Sequence, residues 1–490
     1  MSFATNGVLS GTGISSNPYE MYDAEDLKAF AAKVNNDDET SASAILKSDI
    51  CLNACTAGKS VLSSNGLLNN GLFEQWTPIG SSDKAYTGTF DGDGHSIRGL
   101  YYEDKGANDV GLFKYTGVGA VVRNLVMEDS YIAGKHRVGS IVGYNNGTVS
   151  DVYNKSTVEG MTGIGNYAGG IVGYNNGTVK NVYNKAAHLS GGYVGGIVGY
   201  NATGASVNNA YNNCTWLGDG GGIAYYNGGS IKNVFQVPAV GSGVIIAWEN
   251  NGTISNAFYI LHNNASANVN KRGYGSKKNV KGLTFKQLAN LKVDDASGFP
   301  LLDGESESPW TTGSKVTGDG FVTYKFPYLT AFGESSQPII SIQTDFGAVT
   351  ISEDRSSATV DGSFVGAVNI PDEIKVSGAI AFDRSFPNLT AGDAFSTIML
   401  PFEPASKPTG VSFYTLGSVS KVNGKWVISA TEVTGALDAN TPYLVKVESG
   451  TKSITFEDGG TFKKTEGEHS VTNGNWKFVG TYEYKTWPEN

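Results

Sequence analysis

The chain has 490 residues, 65 of them glycine, close to twice the usual share of roughly 7%. With 40% hydrophobic and 17% charged residues it is neither an acidic disordered polymer nor a coiled coil. The 36 basic and 46 acidic residues leave a net charge of −10 without runs of either sign, which argues against a nucleic-acid partner. No window approaches the roughly 18 consecutive apolar residues of a membrane helix, so no membrane insertion is expected. Glycine disfavours helix interiors and supplies turns, so strands and turns are expected throughout.

Met1 to Gly7 has neither a basic n-region nor an apolar h-region, so a secretion signal is not expected there. Asp23 reads as an N-cap with Asp26 three residues on, before Leu27, Phe30, Ala31 and Val34 at helical spacing. This helix is expected to cover the open end of the β-structure C-terminal to it, where strand edges would otherwise be unpaired. Cys51 and Cys55 lie four apart and Cys214 is isolated, a set read as three ordinary thiols rather than a local Cys51–Cys55 bridge.

From residue 88 the chain repeats. Ile141-Val-Gly-Tyr-Asn-Asn-Gly-Thr-Val149 recurs at 171 to 179 and, shortened, at 197 to 201, with degenerate copies from Ile223 and Ile246 and an earlier one at Gly111 to Tyr115. Asn-Gly turns at 146, 176 and 251 lead into a second apolar run, such as Val179-Lys-Asn-Val-Tyr183. Its apolar residues fall three apart, at 149 and 152, 179 and 182, 231 and 234. A flat strand alternates faces with period two, so both can point inward only if the backbone turns between them. The intervening residues, Asp151, Asn181, Asn209, Asn233 and Asn256, are the types that tolerate a left-handed conformation. They are expected to form a corner, with side chains hydrogen-bonded from rung to rung.

One such unit is too small to bury its own apolar face, but stacked units can, each pairing with the next at about 4.8 Å. The pattern predicts a right-handed parallel β-helix (a β-solenoid) over 1–335, with rungs at about 88–260 and a closing segment at 261–335. The repeated Gly-Gly-Ile-Val-Gly at 169 to 173 and 195 to 199, with Val138-Gly-Ser-Ile-Val-Gly143, resembles the GLUG motif. That repeat occurs in bacterial surface adhesins and beside the catalytic domain of IgA-specific metallopeptidases. The stretch before the rungs, including Asn17-Pro-Tyr-Glu20, Trp76-Thr-Pro-Ile-Gly80 and Gly88-Thr-Phe-Asp-Gly-Asp-Gly-His95, also resembles that family. Tyr225 and Trp248 depart from it by replacing the second motif glycine. The resemblance implies an adhesin-like, secreted or cell-surface bacterial protein and says little about its ligand.

Thr284 to Leu291 reads as a second short capping helix, and Phe299-Pro-Leu-Leu-Asp303 and Phe326-Pro-Tyr-Leu329 as closing segments. A polar break at 333–338 follows. Over 339–490 the repeat is gone, and short alternating strands with turns at Asn423-Gly424 and Asn473-Gly474 predict a C-terminal β-sandwich. Its end at 490 reads as a truncation within a longer surface protein.

No catalytic constellation is expected. The histidines 95, 136, 188, 262 and 469 lack His-Glu-x-x-His spacing, which excludes that metallopeptidase chemistry. No metal or cofactor is expected. Asp91-Gly-Asp-Gly-His95 reads as a tight turn rather than a cation loop, because no Glu follows at EF-hand spacing. A β-helix can host a polysaccharide lyase or glycoside hydrolase, which needs two carboxylates about 5 to 10 Å apart; Asp151 falls in the Asn column, and Glu159 and Asp219 in variable loops.

Binding is the better-supported expectation. Tyr144, Tyr174, Tyr200 and Tyr226 share one column, next to Trp248, and stacked rungs would make of them a flat aromatic strip suited to sugar rings. The other reading is that these rings, like the Tyr153, Tyr183, Tyr211, Phe235 and Phe258 column, fill corners of the core; periodicity leaves both open. Thr148, Thr178, Ser206, Ser230 and Thr253 form a hydroxyl column, read as rung-to-rung hydrogen bonding and not as an ice-binding array. The expected function is a non-catalytic, monomeric adhesin-like protein binding a polysaccharide or host glycoprotein. A carbohydrate-active enzyme or a passive stalk are the alternatives.

Overall fold

The structure, a computed structural model, describes residues 7–53, 62–63, 66–67, 73–215, 217–218, 220–237, 246–260, 270, 272–318, 321–363, 368–384, 386, 395–447, 451, 453–465, 469–473 and 476–480. The chain forms two compact units, one of 1–315 with 324–339 and one of 316–323 with 340–490.

The first unit is a parallel β-solenoid. A complete rung has four sides: His136–Gly139, Val142–Asn145, Thr148–Asn154 and Thr157–Gly160 are followed by Tyr167–Gly169, which starts the next. Each side pairs in parallel with the same side of its neighbours, producing sheets of five, six, twelve and four strands. The six-stranded sheet runs from Phe113–Thr116 through Val142–Asn145, Val172–Asn175, Val198–Asn201 and Ala224–Asn227 to Ala247–Asn250. The twelve-stranded sheet ends at Ser276–Leu283.

The expected corner is present. Asn124, Asp151, Asn181, Asn209, Asn233, Asn256 and Asn279 all have φ between 49° and 55°. Pairing jumps across them, so that Val149 and Val152, two residues of one strand, both reach 0% exposure. The amides run as a chain: Asn181 Nδ2 donates to Asp151 at 3.1 Å, Asn209 to Asn181 at 3.2 Å, Asn233 to Asn209 at 3.1 Å and Asn256 to Asn233 at 3.1 Å.

A second asparagine chain lies wholly inside. Asn145 Nδ2 donates to Asn175 at 2.8 Å, Asn175 to Asn201 at 2.9 Å, Asn201 to Asn227 at 2.8 Å and Asn227 to Asn250 at 2.7 Å, all five residues at 0% exposure. Asn145 Oδ1 also accepts from Gly147 N, so the chain locks the Asn-Gly turn that starts the long strand. The motif glycines answer a close approach: a Cβ on Gly173 would stand 2.3 Å from the carbonyl carbon of Arg137.

Helix α1 (Ala24–Asn36) starts as expected at Asp23, whose carboxylate accepts from the amides of Glu25 and Asp26. Its buried face joins the solenoid core, with Phe30 5.9 Å from Phe90 and 6.0 Å from Tyr86. Helix α2 (Phe285–Ala289) is capped by a Thr284–Gln287 box. The reading of Cys51 as an ordinary thiol is corrected, because Cys51 is disulfide-bonded. Cys214 is a buried free thiol, and Cys55 lies outside the described residues.

The second unit consists of further, mainly antiparallel sheets around one core. The sheet of Val349–Ile351, Ala358–Asp361, Ile380–Asp383 and Ser453–Phe456, that of Ile374–Val376, Gly460–Phe462 and Phe402–Pro404, and that of Ser396–Met399, Pro442–Lys446, Ser412–Val422 and Lys425–Glu432 all contribute to it. Asn423-Gly424 makes the expected hairpin turn, with φ of 52° and 80°.

Candidate functional site

Tyr144, Tyr174, Tyr200 and Tyr226 lie in register on the six-stranded sheet, and Tyr115 heads the same column. Centroid separations down the column are 4.5, 4.7, 4.6 and 4.3 Å, with interplanar angles of 3°, 9°, 5° and 11°. All five rings are half-buried. These separations correct the flat strip: rings lying side by side in one plane need more than a ring's width between centroids, whereas these overlap face on face. The column therefore presents ring edges and phenol hydroxyls, over about 19 Å at the rung spacing of about 4.8 Å. Partial burial, then the neighbouring phenols, push the Tyr144 hydroxyl up to about 12, and burial raises Tyr174 and Tyr200 as well. These phenols stay protonated at neutral pH and can donate.

The twin column has the other fate. Tyr153, Tyr183, Tyr211 and Phe235 stack at 4.0, 4.7 and 5.0 Å and, with Phe258, are at most 8% exposed. The closing segment covers them. Phe332 packs edge-on to Tyr183, Trp310 lies 5.7 Å from Phe235, Phe299 lies 5.5 Å from Phe258, and Tyr211 donates to the Ser336 carbonyl at 2.9 Å. Trp310 and Glu305 also bond to Asn209, so the corner asparagines hold the cover in place.

Trp248 stands one position beside the first column, not in it. It stacks on Tyr225 at 5.8 Å, Tyr225 on Tyr193 at 4.2 Å, and Tyr193 meets Tyr167 at 5.3 Å. Tyr167 is edge-on to Tyr200 at 5.0 Å and joins the two stacks. The register column is continued below Tyr226 by Glu249 and Arg272. At the other end the Arg137 guanidinium lies 5.1 Å from the Tyr144 ring centroid and pairs with Asp109 at 2.6 Å. Burial is the largest influence on Asp109 and raises its carboxyl in spite of Arg137. Sequence reading missed Tyr115, Tyr167, Tyr193, Tyr225 and Arg137 as members of this surface. Tyr115 was legible from its place in the early copy and Tyr225 from the motif-glycine position that it takes; Tyr167, Tyr193 and Arg137 precede the motif and meet the column only through the fold.

Glu159 is not in a loop. It belongs to Thr157–Gly160 and shares a register column with Glu103, with Ala133 on the rung between. Two rungs, about 9.6 Å, separate their backbone positions. Tyr101 donates to Glu103 at 2.9 Å and Tyr131 to Glu159 at 2.8 Å. Asp219 lies outside the described residues. Asp91 accepts from Asp93 N, Asn124 Nδ2 and Arg123 Nε, a turn stitched to the next rung as the tight-turn reading expects. In the hydroxyl column Ser206 donates to Thr178 at 3.4 Å.

Fold and surface together define a parallel β-solenoid that leaves one stack of aromatic columns open and seals another. No protein-family model matches the chain. It is 32% identical over 162 residues to Halomucin of Haloquadratum walsbyi, a match covering 33% of this chain and 2% of that protein. It is 33% identical over 80 residues to a candidate Gly-rich membrane protein of Evansella cellulosilytica, covering 16% of this chain and 9% of that one. The chain thus spans a small fraction of both curated relatives. Among solved structures, a candidate immunoglobulin A1 protease from Bacteroides ovatus is similar at 20% identity and a TM-score of 0.33, over 57% of this chain and 88% of that one.

Proposed function

We propose that the protein is an extracellular, cell-surface solenoid of the adhesin type that binds polysaccharide or host glycoprotein without catalysis, through the Tyr115–Tyr226 column and the adjoining Tyr167–Trp248 stack. The observation that carries this reading is the unequal treatment of the two aromatic columns: one has a dedicated cover and is buried, and all five tyrosines of the other are only half-buried. A rigid row of donors at the rung spacing suits a repeating polymer, because little side-chain freedom is lost on binding. The GLUG-like motif, the names of the two curated relatives and the disulfide at Cys51 support a surface location; disulfides persist in oxidising compartments.

A glycan array and a pull-down on insoluble polysaccharides test it. Binding of a neutral glycan by the whole chain that is lost in Tyr174→Ala/Tyr200→Ala is expected; no neutral glycan bound, or none whose binding depends on those tyrosines, sinks it. Glu103 and Glu159, in one register column two rungs apart, favour a second reading, a glycoside hydrolase, which needs two carboxyls about 5 to 10 Å apart. Release of reducing sugar that disappears in Glu159→Gln would replace the binding reading by that one.

A further inference from the structure

Basic residues scattered through the sequence are brought into one line by the rungs. On the outward face of the twelve-stranded sheet, Arg123, Ser150, Lys180, Asn208, Lys232, Ser255 and Lys278 occupy successive positions of one register column. A cation thus recurs at every second rung, about every 9.6 Å, with a small polar residue between. Arg123, Lys180, Lys232 and Lys278 are all exposed. Arg123 is neutralised by Asp91 at 2.8 Å, whereas the three lysines have no ion pair among the described residues. Two positions along each strand runs the hydroxyl column, Thr148, Thr178, Ser206, Ser230, Thr253 and Ser276, parallel to the cations. The bordering acids are engaged elsewhere: Asp151 accepts from Asn181, and Glu305 from Asn209 and the Leu302 amide. The same strand carries Lys277 before Lys278 and Lys281 after it, both exposed.

We infer that this stripe is a second binding site, for a linear acidic polysaccharide carrying one carboxylate or sulfate per disaccharide and lying along the solenoid axis. The period decides the class. An extended disaccharide advances by about two rungs, so each anion meets a lysine while the sugar hydroxyls between meet the Thr/Ser column. Nucleic acid fits poorly, because a single strand carries a phosphate about every 3.4 Å and a chain of net charge −10 supplies one cation per three of them on this line. Even-numbered spacing also lowers the mutual repulsion of the lysines, which alone would account for their alternation; the continuous hydroxyl column beside them and the lack of ion pairs are what point to a ligand.

The test uses the full chain and hyaluronan as the probe, with neutral dextran and duplex DNA beside it. Hyaluronan is expected to bind and dextran not to bind at this face. Affinity should fall several-fold between about 50 and 200 mM salt, as the screening of three exposed charge contacts requires. Lys180→Gln/Lys232→Gln/Lys278→Gln should lose at least as much at low salt, while Lys105→Gln/Lys135→Gln/Lys286→Gln, with the same change in net charge, should bind as the parent does. Absence of hyaluronan binding at low salt, equal weakening by the control triple, or equal affinity for DNA each overturns the inference. Tyr174→Ala/Tyr200→Ala should leave hyaluronan binding through the lysines intact, so failure of the tyrosine site and failure of the lysine stripe are read separately.

Discussion

The two aromatic columns are made by the same repeat, stack at the same spacing and differ in what lies over them. Tyr153 to Phe258 is sealed by Phe299, Trp310 and Phe332 of the closing segment, and Tyr115 to Tyr226 is left at the surface. Stacking is thus a property of the rung, and exposure a property of the rest of the chain. A column that a protein must hide is expensive to truncate, whereas one that it leaves open can be altered with small effect on folding.

The largest effect should come from the sealed column. Phe235→Ala removes a fully buried ring between Tyr211 and Trp310 and should lower the stability of the solenoid's unfolding transition by about 3 to 5 kcal/mol in denaturant titration. Tyr200→Ala, in the open column, should cost about 1 kcal/mol in the same measurement. Equal losses would show that the closing segment contributes nothing to the difference.

Next in size is the internal amide chain. Asn201→Leu removes the bonds from Asn175 and to Asn227 and Ser230 and strips the buried Asn227 acceptor of its amide donor, while Asn175 keeps the Gly177 and Ser206 carbonyls; a loss of about 3 kcal/mol is expected. At the outer corner Asn181→Ala places a Cβ residue at a φ of 53° and removes two amide bonds, for about 2 kcal/mol, whereas Asn181→Gly should recover part of it because glycine takes positive φ freely. No recovery with glycine would assign the whole loss to the hydrogen bonds.

Alkaline pH separates the columns without mutation. Burial raises Tyr183 and Tyr211 far above the ordinary phenol value, and Tyr144 to about 12. The unfolded chain gives up these protons near pH 10 while the folded chain keeps them. Stability is therefore full below pH 10 and falls as pH rises beyond it. Ultraviolet titration should show Tyr144 ionising before unfolding and Tyr183 and Tyr211 only with it. The smallest effect is expected for Tyr174→Phe, with stability within about 0.5 kcal/mol of the parent and glycan affinity lower by about fivefold, the worth of one hydrogen bond.

Much of the solenoid is readable in one dimension. Apolar residues three apart with Asp or Asn between them require a corner, and Asp151 through Asn256 adopt it. The open tyrosines are visible as a column because Ile-Val-Gly-Tyr-Asn recurs. Their orientation is not, since a 4.8 Å rung can stack rings or splay them, and packing decides which. Sequence alone places Glu159 in a loop because the segment after each long strand varies in length and sequence; its strand is defined by pairing with 131–134 and not by its own pattern.

By itself the sequence determined the solenoid, its corners and the register of its columns, because a repeat forces identical residues into identical positions at the spacing of paired strands. Only the tertiary structure decided which aromatic column is covered and that Tyr167 and Arg137 reach the open rings. Each of these depends on contacts between segments of dissimilar sequence, for which periodicity carries no information.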